Sequence, residues 1–244
     1  MKAPARTALW VAGVGLLAMS ILASAPVQAA NEGASGLVQV GTYDYLTQPD
    51  FTPLADVREI ADGNTMGLGT FANLDGELVM VGGTVYQVRP DGTPREAQES
   101  SRTPFMQAIA FRPENNAPVP PGTTCAQLPA LITAVAQKAN GIIAVRVRGT
   151  FTDLTTRSVT ADPPPFQPLS QTVAEQTVFP LGQQRAVLVG FWQGRDALGI
   201  GQDGLHLHGL NVDRSAGGHV LSCEAGADVQ LSVQTVSSVR VHTP

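Results

Sequence analysis

The 244-residue sequence predicts an α+β fold that is rich in β-strands, with mixed or antiparallel sheets and few helices. Two observations predict this class. Most patterned segments are short runs bounded by Gly or Pro, and a single segment carries both a helix start signal and a helix stop signal. A short internal repeat adds the expectation of two similar halves, roughly residues 37–148 and 149–244.

Strand patterns dominate the first part of the chain. Residues 37–43 alternate partly between apolar and polar side chains, which predicts a strand. The runs Glu77–Val81 and Thr84–Val88 flank Gly82 and Gly83. Because glycine adopts the positive φ of a two-residue hairpin turn without steric cost, this arrangement predicts a β-hairpin.

A helix is predicted at residues 130–140. Apolar side chains recur there at helical spacing, with Pro129 at the start and Gly141 just past the end. Three later apolar runs predict strands, at residues 142–147, 186–192 and 229–241. The last run is long enough for one strand or for a pair of strands.

The internal repeat matches in the pattern G-T-F-x-x-L. It relates residues 69–77 to residues 149–157 and places Glu77 and Arg157 at the same point of the two copies. A chance match is the alternative, because the motif is short and the chain is rich in Gly and Thr. If the repeat is a true duplication, two halves pack about a pseudo-twofold axis with this carboxylate facing this guanidinium.

A secretory signal peptide is predicted at residues 1–29. Lys2 and Arg6 precede an apolar run over residues 8–23, and small residues near position 29 offer a cleavage site. The run is shorter than the ~20 apolar residues that a membrane anchor needs. The mature domain, residues 30–244, is therefore expected to be secreted or periplasmic and to have no membrane anchor.

The charge balance argues against nucleic acid as a partner. Without residues 1–29 the chain keeps 13 basic and 20 acidic side chains, a net charge of −7. The sequence leaves the oligomeric state open, with a homodimer as one alternative. Cys125 and Cys223 can form one disulfide in an oxidising compartment, and two buried free thiols fit the same count.

Histidines cluster in the last third of the chain. In a strand, His206 and His208 point to the same face, because alternate side chains share a face. Residues 213–218 have the composition of a turn that brings His219 beside this pair.

Three imidazoles around Zn²⁺ leave a fourth position open, which is typical of a catalytic zinc site. Solvated histidines on a hairpin are the alternative. Iron sites of the facial-triad type require a carboxylate ligand, whereas manganese, nickel or cobalt could occupy a three-histidine site in vitro.

Seven motifs then resemble, in order and wording, those of the α-acetolactate decarboxylases: residues 69–77 (GTFANLDGE), 83–87 (GTVYQ), 103–105 (TPF), 156–159 (TRSV), 189–192 (VGFW), 206–208 (HLH) and 217–221 (GGHVL). The resemblance implies an α+β fold of two similar β-rich halves. It also implies a zinc-dependent carboxy-lyase that converts 2-acetolactate (2-hydroxy-2-methyl-3-oxobutanoate) to acetoin and CO₂.

Each site residue implied by the resemblance occupies a matching motif. His206, His208 and His219 are the implied zinc ligands. Glu77 and Arg157 are the implied catalytic residues, and Thr70 and Arg157 are implied to bind the small 2-hydroxy-3-oxo acid substrate.

One family feature has no counterpart in this sequence. Members of the family carry a C-terminal tail with a glutamate that reaches the metal site, whereas this sequence has no acidic side chain after Asp228. Either His242 approaches the site instead, or it is a solvated terminal residue. Two functions therefore remain: a secreted zinc decarboxylase, or a catalytically impaired, secreted metal-binding domain of the same fold.

Overall fold

Strands form most of the regular structure in the described part of the chain. The computed structural model describes Met1, residues 36–197 and residues 199–243. The predicted signal peptide lies outside the described residues, apart from Met1. All the others belong to one unit, Asn31–Pro244. No helix in these ranges is long and apolar enough to span a membrane.

The strands are, in chain order, β1 (Gly36–Val40), β2 (Ala55–Asp56), β3 (Met66–Thr70), β4 (Glu77–Val81), β5 (Thr84–Val88), β6 (Pro94–Glu96), β7 (Arg102–Thr103), β8 (Met106–Ile109), β9 (Asn115–Pro118), β10 (Ile142–Ser158), β11 (Thr177–Pro180), β12 (Gln184–Gln193), β13 (Gly204–Asn211), β14 (Gly217–Ala225), β15 (Gln230–Thr235) and β16 (Ser238–His242). The α-helices are α1 (Tyr43–Leu46), α2 (Val57–Ala61), α3 (Leu128–Ala136) and α4 (Leu169–Ala174). Short 3₁₀ turns occupy Ala72–Leu74 and Arg195–Ala197.

The strands form two seven-stranded sheets and a small β2–β7 pair. The first sheet has the order β16-β1-β8-β3-β4-β5-β6, in which β1 and β16 are parallel and the other neighbours are antiparallel. In the second sheet the pairings β10–β12, β12–β13, β13–β14 and β14–β10 close a ring of four antiparallel strands. The predicted β-rich α+β class with mixed and antiparallel sheets is confirmed.

The predicted hairpin is present as β4 and β5. Gly82 and Gly83 form its turn with φ of +63° and +88°, values that suit glycine better than residues with a Cβ. The final apolar run is a pair of strands, β15 and β16, rather than one strand.

The predicted helix begins and ends earlier than expected. It runs over Leu128–Ala136, so the predicted end at residue 140 is wrong by four residues. Gln137 adopts a left-handed conformation with φ +52°, and its N–H bonds back to the Ala134 carbonyl. A helix commonly ends this way, but glycine is the usual residue there and Gly141 therefore gave a misleading stop signal.

The second copy of the repeat lies in a strand much longer than predicted. β10 continues from residue 142 to residue 158, so the predicted division at residue 148 falls inside it, and β16 joins the first sheet. The two copies nevertheless share a local backbone feature. Gly69 and Gly149 have φ of +159° and +150°, and at both a Cβ would lie within 2.6 Å of neighbouring backbone.

The main core lies between the two sheets and supports the site described below. It joins Leu68, Val79 and Phe105 of the first sheet's region to Val189 and Phe191 of β12. A second core packs α3 against the opposite face of the second sheet. Burial of this apolar surface fixes β4 against β13 and β14, the strands that carry the polar residues of interest.

The two cysteines form a disulfide. Cys125, in the segment before α3, is bonded to Cys223 on β14, at a sequence separation of 98. The alternative of two free thiols is therefore wrong for this structure.

Candidate metal centre and active site

The three clustered histidines lie on adjacent strands. His206 and His208 are on β13 and His219 is on β14, and the antiparallel register places His208 directly opposite His219. The connecting turn is short because the Asn211 side-chain oxygen accepts hydrogen bonds from the N–H groups of Ser215 and Ala216.

Their ring nitrogens converge on one point. Nε2 of His206 lies 3.1 Å from Nε2 of His208 and 3.2 Å from Nδ1 of His219. The third side of the triangle, between His208 Nε2 and His219 Nδ1, is 3.3 Å. Ligand nitrogens bound tetrahedrally at the usual Zn–N distance of ~2.0–2.1 Å would lie about 3.3 Å apart, so the triangle has the size of a metal site.

The protonation states also suit a metal ligand set. The Nδ1–H of His208 donates to the Leu78 carbonyl at 2.8 Å, which leaves the lone pair of Nε2 directed at the triangle. Burial, reinforced by the positive charge of Arg157, lowers the pKa of His206 to about 3. Burial likewise holds the pKa values of His208 and His219 well below the ordinary range, so all three rings are neutral near pH 7. Three neutral nitrogens this close together fit a shared cation.

Glu77 and Arg157 form a buried ion pair beside this triangle. Nη1 of Arg157 lies 2.6 Å from Oε1 of Glu77, and their side chains are only 12% and 5% exposed. The other carboxylate oxygen, Oε2, is 3.5 Å from His208 Nε2. Burial raises the pKa of Glu77, and the nearby guanidinium opposes that shift.

Strand register explains why these residues meet. Glu77 is the first residue of β4 and pairs with Thr70 at the end of β3, while Arg157 pairs with His219 across β10 and β14. The Thr70 hydroxyl donates to the Gly76 carbonyl at 2.8 Å. The face-to-face placement of carboxylate and guanidinium that the internal repeat suggested is therefore present in the structure.

A cavity of about 480 Å³ contains all six residues predicted from the sequence. The three histidines, Glu77, Arg157 and Thr70 belong to its polar lining, which also includes Tyr43, Thr47, Ser170, Gln176 and Gln202. Its apolar lining comes from Leu46 on α1, Leu74, Phe105, Val159, Leu169 and Val173 on α4, and Leu221 on β14. The volume suits a small molecule.

Sequence reasoning missed the apolar walls from α1 and α4. Both helices are very short, and neither has enough residues for a recognisable periodic pattern. The spacing of Leu169 and Val173, four residues apart, was the one available signal.

His242 does not take part in the site. Its side chain is exposed on β16 and is not among the residues that line the cavity. The alternative that His242 approaches the metal centre is therefore wrong, and the solvated terminal residue is what the structure contains.

Comparison with known proteins gives a consistent result. The family model "Alpha-acetolactate decarboxylase" matches residues 37–244. An alpha-acetolactate decarboxylase of Klebsiella aerogenes is 34% identical over 178 residues, covering 73% of this chain and 67% of the relative. That of Bacillus subtilis strain 168 is 31% identical over 190 residues, covering 78% and 74%. A crystal structure of acetolactate decarboxylase from Bacillus subtilis subspecies spizizenii superposes with a TM-score of 0.82 at 28% identity, covering 86% of this chain and 90% of the other.

Proposed function

The chain belongs to the α-acetolactate decarboxylase family, and on this premise we propose that it is a secreted, zinc-dependent enzyme that converts 2-acetolactate to acetoin and CO₂. Family membership itself makes the protein a carboxy-lyase. The observation that carries the proposal is the triangle of ring nitrogens beside the buried Glu77–Arg157 pair in one small-molecule cavity.

The reaction determines what the site must do. Loss of CO₂ from a 2-hydroxy-3-oxo acid leaves an electron pair on C2, which delocalises onto the neighbouring carbonyl as an enediolate. Zinc held by His206, His208 and His219 supplies Lewis-acid stabilisation of the developing negative charge when it is bound. Protonation of C2 then gives acetoin, and the net reaction takes up one proton from solvent.

Arg157 is suited to bind the substrate carboxylate. A guanidinium presents five N–H donors in a planar fork, of which Nη1 is held by Glu77 at 2.6 Å. This contact fixes the plane of the fork while other donors stay available to an anion. Thr70 lines the same cavity, and because its hydroxyl hydrogen is given to the Gly76 carbonyl, the orientation of this hydroxyl in the cavity wall is fixed beside the substrate.

Glu77 is placed to move the proton. One carboxylate oxygen accepts from Arg157, whereas the second lies beside His208 and can accept the proton of the substrate hydroxyl. The same group then delivers a proton to C2 of the enediolate. This assigns both proton-transfer steps to a residue that the cavity already contains.

The test is acetoin formation from racemic acetolactate by zinc-loaded protein, measured against the spontaneous reaction. Acetoin above background that disappears after zinc removal and returns on readdition supports the proposal. Stoichiometric zinc binding without acetoin formation would instead support the impaired metal-binding domain.

Export is tested separately by mass spectrometry. Expression of the full chain is expected to give a protein whose first residue is Ala30, recovered from the periplasm or the medium. Recovery of the intact N-terminus from inside the cell would contradict the proposed secretion without affecting the proposed chemistry.

A further inference from the structure

Leu221 is the most exposed of the Leu, Val and Phe residues that line the cavity. The residue retains 43% of its accessible surface, whereas Leu46, Leu74, Phe105 and Val159 retain 7% or less. Those four are already covered by protein and have little surface left to give to a ligand. Leu221 lies two residues after His219, so its free apolar surface begins next to the metal triangle.

A β-bulge sets the position of Leu221. In the β10–β14 ladder Thr156 pairs with Val220 and Thr155 pairs with Ser222, which leaves Leu221 without a partner on β10. An extra residue of this kind is left out of the ladder and its side chain is re-aimed, a device found often beside active sites.

Both ends of the bulge are held. On one side His219 belongs to the nitrogen triangle, and on the other Cys223 is bonded to Cys125. The Cys125 N–H also donates to the Cys223 carbonyl at 2.9 Å. These contacts hold the backbone on both sides of Leu221, so the fold sets the position of this residue relative to the nitrogen triangle.

Leu221 also borders a second recess. This recess has a volume of about 240 Å³, lies beside the disulfide, and is lined by Leu221 together with Asp153, Ser222 and Glu224. Leu221 therefore contributes to the walls of both the main cavity and the recess.

We propose that Leu221 separates the main cavity from the recess, contacts the 2-alkyl substituent of the substrate and limits the length of that substituent. The inference rests on the proposed function, because a 2-hydroxy-3-oxo acid places its three polar groups on C1 to C3 and leaves the C2 substituent to find an apolar contact. With the polar groups held by Arg157, Thr70 and the histidine end of the cavity, the exposed surface of Leu221 offers apolar area on the strand that carries His219, in addition to the partly buried Leu169 and Val173 of α4.

The test measures binding, so that it does not depend on turnover. In 2,3-dihydroxy-2-alkylbutanoates the ketone is reduced, so these compounds lack the electron sink and cannot decarboxylate. Their affinities for the zinc-loaded full-length protein are compared by calorimetry for methyl, propyl and butyl substituents. Wild type should bind the methyl compound best, and Leu221→Ala should shift the butyl-to-methyl affinity ratio at least tenfold toward butyl by opening the recess.

Two further variants sharpen the result. Leu221→Phe should weaken binding of the propyl compound while keeping zinc bound. Val212→Ala is the matched control, because Val212 is also an exposed aliphatic residue, at 52% against 43% for Leu221, but does not line the cavity, and it should leave all ratios unchanged.

The outcomes distinguish the proposed role of Leu221 from the proposed decarboxylation reaction. An unchanged butyl-to-methyl ratio in Leu221→Ala with zinc still bound overturns the role of Leu221, whether or not acetolactate is turned over. The expected shift in ratio without any acetoin formation by wild type supports the subsite and rejects the proposed reaction.

Discussion

Removal of the Cys125–Cys223 disulfide should cost a large share of the stability of this protein. The bond closes a loop at a sequence separation of 98. In the chain-entropy model, a closed loop of about this size restricts the unfolded chain enough to stabilise the folded protein by about 4.7 kcal/mol at 25 °C, less any strain. For a domain of this size the loss corresponds to a fall in Tm of roughly 10–20 °C.

The assay is thermal and urea unfolding of Cys125→Ala, Cys223→Ala and the double variant, each saturated with zinc. Because either substitution alone abolishes the cross-link, the double variant should lose scarcely more stability than each single variant. Wild type that has been reduced and alkylated provides the matched control without any substitution.

Two results would refute the reasoning. Small single effects that add in the double variant would indicate ordinary local packing costs at the two sites instead of loss of a cross-link. Two titratable thiols per chain in the unfolded, unreduced protein would show that the bond does not form in solution.

Four further outcomes are expected. His219→Ala should lose bound zinc, and elemental analysis showing one zinc per chain in this variant would contradict its role as a ligand. Glu77→Gln should keep zinc but lower kcat by about 10²- to 10⁴-fold, and wild-type turnover would remove its proton-transfer role. Arg157→Ala should also keep zinc, and urea unfolding should show a loss of about 3–5 kcal/mol because it strands the buried carboxylate of Glu77; unchanged stability would contradict this. Metal-free protein should lose stability as pH falls from about 6.5 toward 3, because the unfolded chain binds a proton that folded His206, with its pKa lowered to about 3, does not. Unfolding midpoints of chelator-treated wild type and His206→Asn measure this, and equal pH slopes would contradict it.

Local signals in the sequence predicted much of this molecule. The Gly82–Gly83 turn and the helix near residue 130 depend on neighbouring residues, and both are present. The histidine triangle was also accessible, since two same-face histidines and a third beyond a turn need only strand periodicity and one hairpin.

Of the features that were missed, the end of α3 is local, whereas the length of β10 and the walls of the cavity depend on contacts distant in sequence. Gln137 ends α3 in a left-handed conformation that propensity assigns to glycine. β10 extends to residue 158 because β11 and β14 pair with its second half. No local sequence pattern predicts these pairings. The apolar walls from α1 and α4 likewise arise only when distant segments pack over the same cavity.

The parallel pairing of β1 with β16 joins two strands that are synthesised at very different times. Val40 and Ser238 are separated by nearly 200 residues, yet their strands are neighbours in the first sheet. At about 5–20 residues per second, a ribosome needs roughly 10–40 s to make the intervening chain. Throughout that interval one edge of β1 has no partner strand, and an unpaired edge is open to wrong pairing. The first sheet therefore becomes complete only after the residues of β16 have been synthesised and can pair with β1.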